Sequence, residues 1–402
     1  MAIDERPAGV LPEVWEDLDD VMASVPVQGD VLRLVDERVG PQVAQLFGDG
    51  APGVERVYLV GCGDSYFAAY AAQLFVERLT GIDTCAMESM EFSRYKAPFL
   101  KPGSLVIPIS NGGGVMRTVE AAELAMEAGG RVTLITARPD SAFGRVGAPL
   151  VNQYAEVPGG SQQINAIGLV NYMASFLSLS AIAIQIGEAR GRVTHGEADH
   201  ERQRVRSVLD QLRPAFEGNV TRIREFVRET APLRSLFILG AGPSYGAAMF
   251  AAAKFYEAPN INAVAQELED WAHEQFFTLR SGQLVMVIAP RGLSGARPVE
   301  ILEGIRAVGA TSIVVSDDAA ALELATIPFP MPSVGEDLAP LADVVPAEIL
   351  AIAYLERQGK LDMPDASLRD LQHTISHRQI GQSARVSLAQ LNGLDGTGPR
   401  RP

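Results

Sequence analysis

Two stretches of this chain carry residue types suited to holding an anion, and a third carries types suited to moving protons. Gly61-Cys62-Gly63-Asp64-Ser65 follows a short apolar run and opens a small-residue segment. Ser110-Asn111-Gly112-Gly113-Gly114 follows a second such run. Backbone N–H groups at the start of a helix attract anions, and glycine lets a ligand approach closely. Two neighbouring turns with Ser65 and Ser110 would cradle one phosphate. Further along, Lys254 and Glu257 lie three residues apart in AAMFAAAKFYE, so a helix puts them on one face. Glu257 ends an apolar, alanine-rich run, where desolvation raises a carboxyl pKa toward the range useful for acid–base work. His273 follows in QELEDWAHEQF, and histidine titrates near neutral pH. Taken alone, Lys254 and Glu257 would be a solvated ion pair worth roughly 0.2–0.5 kcal/mol. A dinucleotide fingerprint needs a third glycine where Tyr66 stands, which argues against NAD.

These residues sit in a repeated pattern. Gly61, Gly63, Ser65 and Tyr66 match Gly240, Gly242, Ser244 and Tyr245, each pair 179 positions apart. The same offset aligns Gly103-Ser104-Leu105-Val106 with Gly282-Gln283-Leu284-Val285. Each copy alternates apolar runs of four to six residues with helical stretches, including LVIPIS, RVTLIT, LFILG and LVMVIAP. Such alternation predicts an α/β protein with two domains, each a parallel sheet carrying helices on both faces, a flavodoxin-like three-layer sandwich. The expected domains are an arm and helical cover over 1–50, a first α/β domain over 51–200, a second over 201–345, and a helix and tail over 346–402. Ligands of such sheets bind beyond the carboxyl ends of the strands, where both glycine turns fall.

Composition narrows the field. The 402 residues are 47% hydrophobic and 21% charged, with 34 basic against 49 acidic side chains and a net charge of −15. A chain of that sign lacks the basic footprint of a nucleic-acid binder, although a local pocket can still hold a small anion. Two cysteines make neither a disulfide framework nor a four-ligand zinc site. The acidic N-terminus has no apolar core of a signal peptide, and no membrane span is expected, so the expected location is the cytoplasm. No metal or organic cofactor is expected.

From about Val57 to Leu355 the chain resembles the sugar isomerase (SIS) domain proteins, in the tandem form of the isomerase half of glucosamine-6-phosphate synthase. Gly63-Asp64-Ser65-Tyr66 is similar to that family's first turn, G-[TS]-S-[YW]. Ser110-Asn111-Gly112-Gly113-Gly114-Val115 is similar to its second, S-x-S-G-x-T, with Gly112 and Val115 in place of two hydroxyls. The resemblance implies substrate-binding roles for Gly63, Asp64, Ser65, Ser110, Asn111, Gly112 and Gly113. Thr118 would compensate for a lost hydroxyl, and Ser161 lies in a polar stretch where the family has serine, threonine and lysine. The lysine, the glutamate three later and the histidine sixteen after that match the family's functional set. The resemblance therefore implies Glu257 as the proton shuttle of an aldose–ketose isomerisation through an enediol(ate), His273 as ring opener and Lys254 as electrostatic helper. In the family the histidine comes from a second subunit, which implies a homodimer with shared active sites.

The chain departs from the synthase in other ways. About 60 residues precede the first turn, so no glutamine-hydrolysing domain is expected, and the C-terminal HTISHRQIGQSARVSL has arginines but no lysine. The expectation is a sugar-phosphate isomerase, with an amino-sugar-phosphate deaminase or fructosamine-phosphate deglycase as alternatives that use the same enediol step. A non-catalytic sugar-phosphate sensor is the alternative of another class.

Overall fold

The short apolar runs become buried parallel strands, as expected of runs with no polar face to turn toward water. We describe residues 22–155, 168–358 and 366–392 of a computed structural model. Helix α1 (Gln28–Phe47) precedes the first sheet: β1 (Arg56–Gly61), α2 (Asp64–Thr80), β2 (Asp83–Glu88), β3 (Ser104–Ile109), α3 (Met116–Glu127), β4 (Arg131–Val132), β5 (Leu134–Thr136) and β6 (Leu150–Asn152). Two long helices follow, α4 (Leu169–Ala189) and α5 (His195–Glu229). The second sheet unit comprises β7 (Ser235–Gly240), α6 (Pro243–Glu257), β8 (Asn262–Glu267), α7 (Leu268–His273), β9 (Leu284–Ile288), α8 (Arg297–Val308), β10 (Thr311–Ser316) and β11 (Ile327–Pro330). Helices α9 (Ala339–Gln358) and α10 (Ala366–Gly381) follow, with a short terminal helix over Leu388–Asn392.

The strand orders are β2-β1-β3-β5-β6, with β4 beside β3, and β8-β7-β9-β10-β11. Every pairing is parallel, so the expected α/β class holds. The run RVTLIT differs from the single strand expected: it is divided into β4 and β5. Thr133 donates its N–H to the Val106 carbonyl at 3.1 Å. The next bond of that ladder would come back to Thr133 from residue 108, which is proline and has no N–H to give.

The helices that open at the two glycine turns, α2 and α6, lie against each other. Gly246 makes this possible: a Cβ there would stand 2.7 Å from the Ala71 amide nitrogen. One apolar core runs through both, including Ala68, Ala72 and Phe75 of α2, Tyr172 and Phe176 of α4, Phe250 and Phe255 of α6, and Leu350 of α9. Helix α4 is the one helix among the described residues long and apolar enough to cross a membrane, and its apolar window is 78% buried within this core.

The core also encloses an acid. Glu348 of α9 is 1% exposed. One of its oxygens accepts from Gln28 Nε2 at 3.0 Å, and the other has no partner among the described residues. Burial pushes its carboxyl from an ordinary 4.5 up to about 8, against the pull of Gln28. A raised carboxyl favours the folded state while neutral, so its stabilising effect is complete below 4.5 and fades as pH rises to about 8. Glu348→Gln preserves shape and removes the titration. A series of melting temperatures against pH is expected to slope less steeply downward for this variant than for the native chain across that window.

Candidate active site

At the end of β1, a Cβ on Gly61 would come within 2.8 Å of the Ser65 backbone, so the strand passes into its helix only through glycine. Gly63 then takes φ 53° and ψ −132°, a conformation costly for any side chain, and α2 begins at Asp64. The turn before α6 repeats this geometry, with Gly242 at φ 52° and ψ −129°. A Cβ at Gly63 would meet nothing within 4 Å, so open space lies beside this turn. Ser65 is half-buried in the first turn of α2.

The turn after β3 supplies donors. Ser110 is 3% exposed and its hydroxyl oxygen has no hydrogen-bond partner among the described residues. Leaving a buried hydroxyl unmet costs free energy, and an anionic ligand would meet it. The N–H groups of Gly112 and Gly114 likewise have no partner among the described residues, and a Cβ at Gly114 would face open space. Gly113 is committed elsewhere: its N–H bonds to the Ser110 carbonyl at 3.2 Å and a Cβ would collide with Ser141. Asn111 is held by its neighbours, donating to Asn171 Oδ1 at 2.6 Å and accepting from Gln153 Nε2 at 2.9 Å. Thr118, expected at the ligand, is fully buried, its hydroxyl 3.0 Å from that of Ser89. The first turn of α3 packs Thr118 inward, so it does not take the place of the missing hydroxyls. Ser161 lies outside the described residues. Burial and its bond to Glu88 at 2.9 Å push the Cys62 thiol up to about 11, which disfavours the thiolate at neutral pH.

The second unit reaches this turn through Lys254. Its side chain is 0% exposed, and Nζ lies 3.0 Å from Asp64 Oδ2 and 2.7 Å from Glu257 Oε2. Nζ also stands 4.6 Å from the Phe250 ring centroid. Burial opposes the ammonium charge, but the two carboxylates outweigh it and its pKa rises. Although 47% of the Glu257 side chain is exposed, burial of its carboxyl end is the largest influence and pushes it up. Lys254 pulls it down and Asp64 pushes it up again, leaving the Glu257 carboxyl above its ordinary value. Asp64, expected to touch substrate, is thus first of all the counter-ion of Lys254.

Two features of this cluster had no signal along the chain. Asp64 and Lys254 are 190 residues apart. Gly168, at φ 83°, borders them so closely that a Cβ would sit 2.5 Å from Asp64 Oδ2 and 3.1 Å from Lys254 Nζ. His273 is not joined to the cluster. It ends α7 with a side chain 72% exposed, and its Nε2 lies 2.9 Å from Glu269, a carboxylate that also holds Arg297 at 2.6 Å.

Comparison with known proteins agrees with this architecture. Residues 53–151 match the family described as SIS domain. The chain is 29% identical over 340 residues to a glutamine–fructose-6-phosphate aminotransferase (isomerizing) of Gloeobacter violaceus, covering 82% of this chain and 54% of that protein. It spans about half the length of the curated relatives it matches. Among solved structures, the C-terminal domain of glucosamine-fructose-6-phosphate aminotransferase from Francisella tularensis superposes with a TM-score of 0.70 at 18% identity, covering 85% of this chain and 96% of that one. A glucosamine-6-phosphate deaminase from Thermotoga maritima gives a TM-score of 0.62, also at 18% identity, over 85% of this chain and 95% of that one. The chain is homologous to the SIS half of the aminotransferase.

Proposed function

We propose that this homologue of the SIS half of the aminotransferases is an enzyme of anionic sugars, most simply an aldose–ketose isomerase of a sugar phosphate working through an enediol(ate). The observation that carries the reading is the Lys254 bridge, which ties the raised carboxyl of Glu257 to Asp64 at the open turn after β1. The anionic end of the sugar takes the Ser110 hydroxyl, the N–H groups of Gly112 and Gly114 and the N-terminus of α2. Glu257 removes the proton from one of the two carbons and returns it to the other. Lys254 stabilises the negative charge that develops on the enediolate oxygens. Since His273 stands apart from Glu257, ring opening falls to the His273 of a second copy, which makes the working form a homodimer. The setting we propose is the cytoplasm.

Release of an amine after the same enediol step is the second reading. Asp64 and Glu257 place two carboxylates around one lysine, a balance that suits a cationic amino group on the sugar. Incubation with sugar phosphates, amino-sugar phosphates and sulfosugars in deuterated water separates these readings. Deuterium at C1 or C2 is the expected result, and ammonia or a free amine alongside it selects the second reading. Thermal stabilisation by a sugar phosphate with no exchange in any substrate would make the chain a sensor instead.

Ser110 provides a sharper probe of the anion site. Because its buried hydroxyl lacks a partner, Ser110→Ala is expected to leave the melting temperature unchanged or higher. Loss of a hydrogen bond to a charged group costs about 1.5–3 kcal/mol, so sugar-phosphate affinity is expected to fall at least ~10-fold in a calorimetric titration. A parallel loss of stability and affinity would mean that Ser110 serves the fold alone.

A further inference from the structure

The two sheets present equivalent turns to very different surroundings. By the offset of 179 residues, Gly112 and Gly114 correspond to Arg291 and Leu293, and Gly63 to Gly242. In the first unit the two N–H groups have no partner among the described residues. In the second unit both are taken by the chain's own carboxylates. Arg291 N–H donates to Asp317 Oδ1 at 2.7 Å, and Leu293 N–H donates to Glu336 Oε2 at 2.8 Å. Space shows the same contrast. A Cβ at Gly63 would meet nothing within 4 Å, whereas one at Gly242 would lie 3.9 Å from Glu336 Oε1 and one at Gly292 would collide with the Glu336 carboxylate.

We infer that the turns after β7 and β9 form a second anion cradle, which the chain fills with its own Glu336 carboxylate. Three further observations support this. The α6 N-terminus carries Ser244, 1% exposed, whose hydroxyl has no hydrogen-bond partner among the described residues; it corresponds to Ser65. The Glu336 carboxylate itself shows that the cradle accepts a planar oxyanion on a backbone N–H. The loop that delivers Glu336 is pinned at the next residue, where Asp337 pairs with Arg78 at 2.7 Å and Arg204 at 2.9 Å. Gly335, at φ 89°, turns the backbone just before it. Glu336 is therefore a tethered plug, and the class of ligand it excludes is a small oxyanion such as phosphate or a phosphate monoester. Each chain has one anion site open and one closed.

The test counts inorganic phosphate bound per chain, by equilibrium dialysis of the native protein and its variants. Glu336→Ala is expected to bind one more phosphate per chain than the native protein, and crystals grown with phosphate to show it on the Leu293 N–H. Glu336→Gln, whose amide oxygen still fills the cradle and accepts that bond, is expected to add none. Glu336→Ser gives the same increment of one and serves if the alanine variant does not fold. Equal counts in the native, alanine and serine proteins would overturn the inference, as would an added phosphate bound away from Leu293. The readout is a difference between variants, so it is independent of whether the first unit's turns hold a sugar phosphate.

Discussion

Glu257→Gln is expected to slow hydrogen–deuterium exchange at the sugar carbons by about 10²–10⁴-fold, the range that a positioned acid–base group supplies. Glutamine keeps the length and shape of the side chain and can still accept from Lys254, but it cannot carry a proton from one carbon to the next. Substrate affinity, assigned in this proposal to the turns after β1 and β3, is expected to stay within a few fold. Single-turnover exchange measured beside calorimetric binding separates the two effects. Exchange at the native rate would remove Glu257 from the reaction and with it the enzymatic reading built on the Lys254 bridge.

The second large effect concerns the neighbours that set the Glu257 carboxyl. Lys254 pulls it down and Asp64 pushes it up. If the proposed reaction begins with Glu257 ionised, the acid limb of the kcat/KM profile follows that carboxyl. Lys254→Met removes the downward pull, so the limb is expected to move to higher pH. Asp64→Asn removes the upward push and leaves the whole charge of Lys254 to Glu257, so the limb is expected to move to lower pH. Lys254→Met also removes the proposed stabiliser of the enediolate, and kcat at the optimum is expected to fall by about 10²–10³-fold, as when an oxyanion donor is deleted. Opposite displacements from two residues that touch each other are hard to obtain from general damage to the fold. Displacement of both limbs in one direction would show that the Asp64–Lys254–Glu257 cluster does not govern the ionisation.

Much of the fold was legible because its signals are local. Apolar runs such as LVIPIS and LVMVI, bounded by glycine or proline, became buried strands. RVTLIT broke because Pro108, a residue of another strand, withholds an N–H. No reading of RVTLIT by itself contains that fact. The same distinction runs through the site. Gly63 and Gly242 announced their turns by type and spacing, and Lys254 and Glu257 their shared face by helical period. The commitment of Asp64 to Lys254, the inward turn of Thr118 and the clearance left by Gly168 arise from chain segments far apart in sequence.

Local residue types therefore determined the two parallel sheets, the glycine turns and the pairing of a lysine with a glutamate, because backbone sterics and helical period act over a few residues. The packing of α2 against α6 decided what that pairing means, by burying Lys254 where a first-unit aspartate can reach it. Packing also decided that one turn stays open while its counterpart receives Glu336. Burial, charge and open space depend on what the rest of the chain brings alongside, and only the closed three-dimensional arrangement sets them.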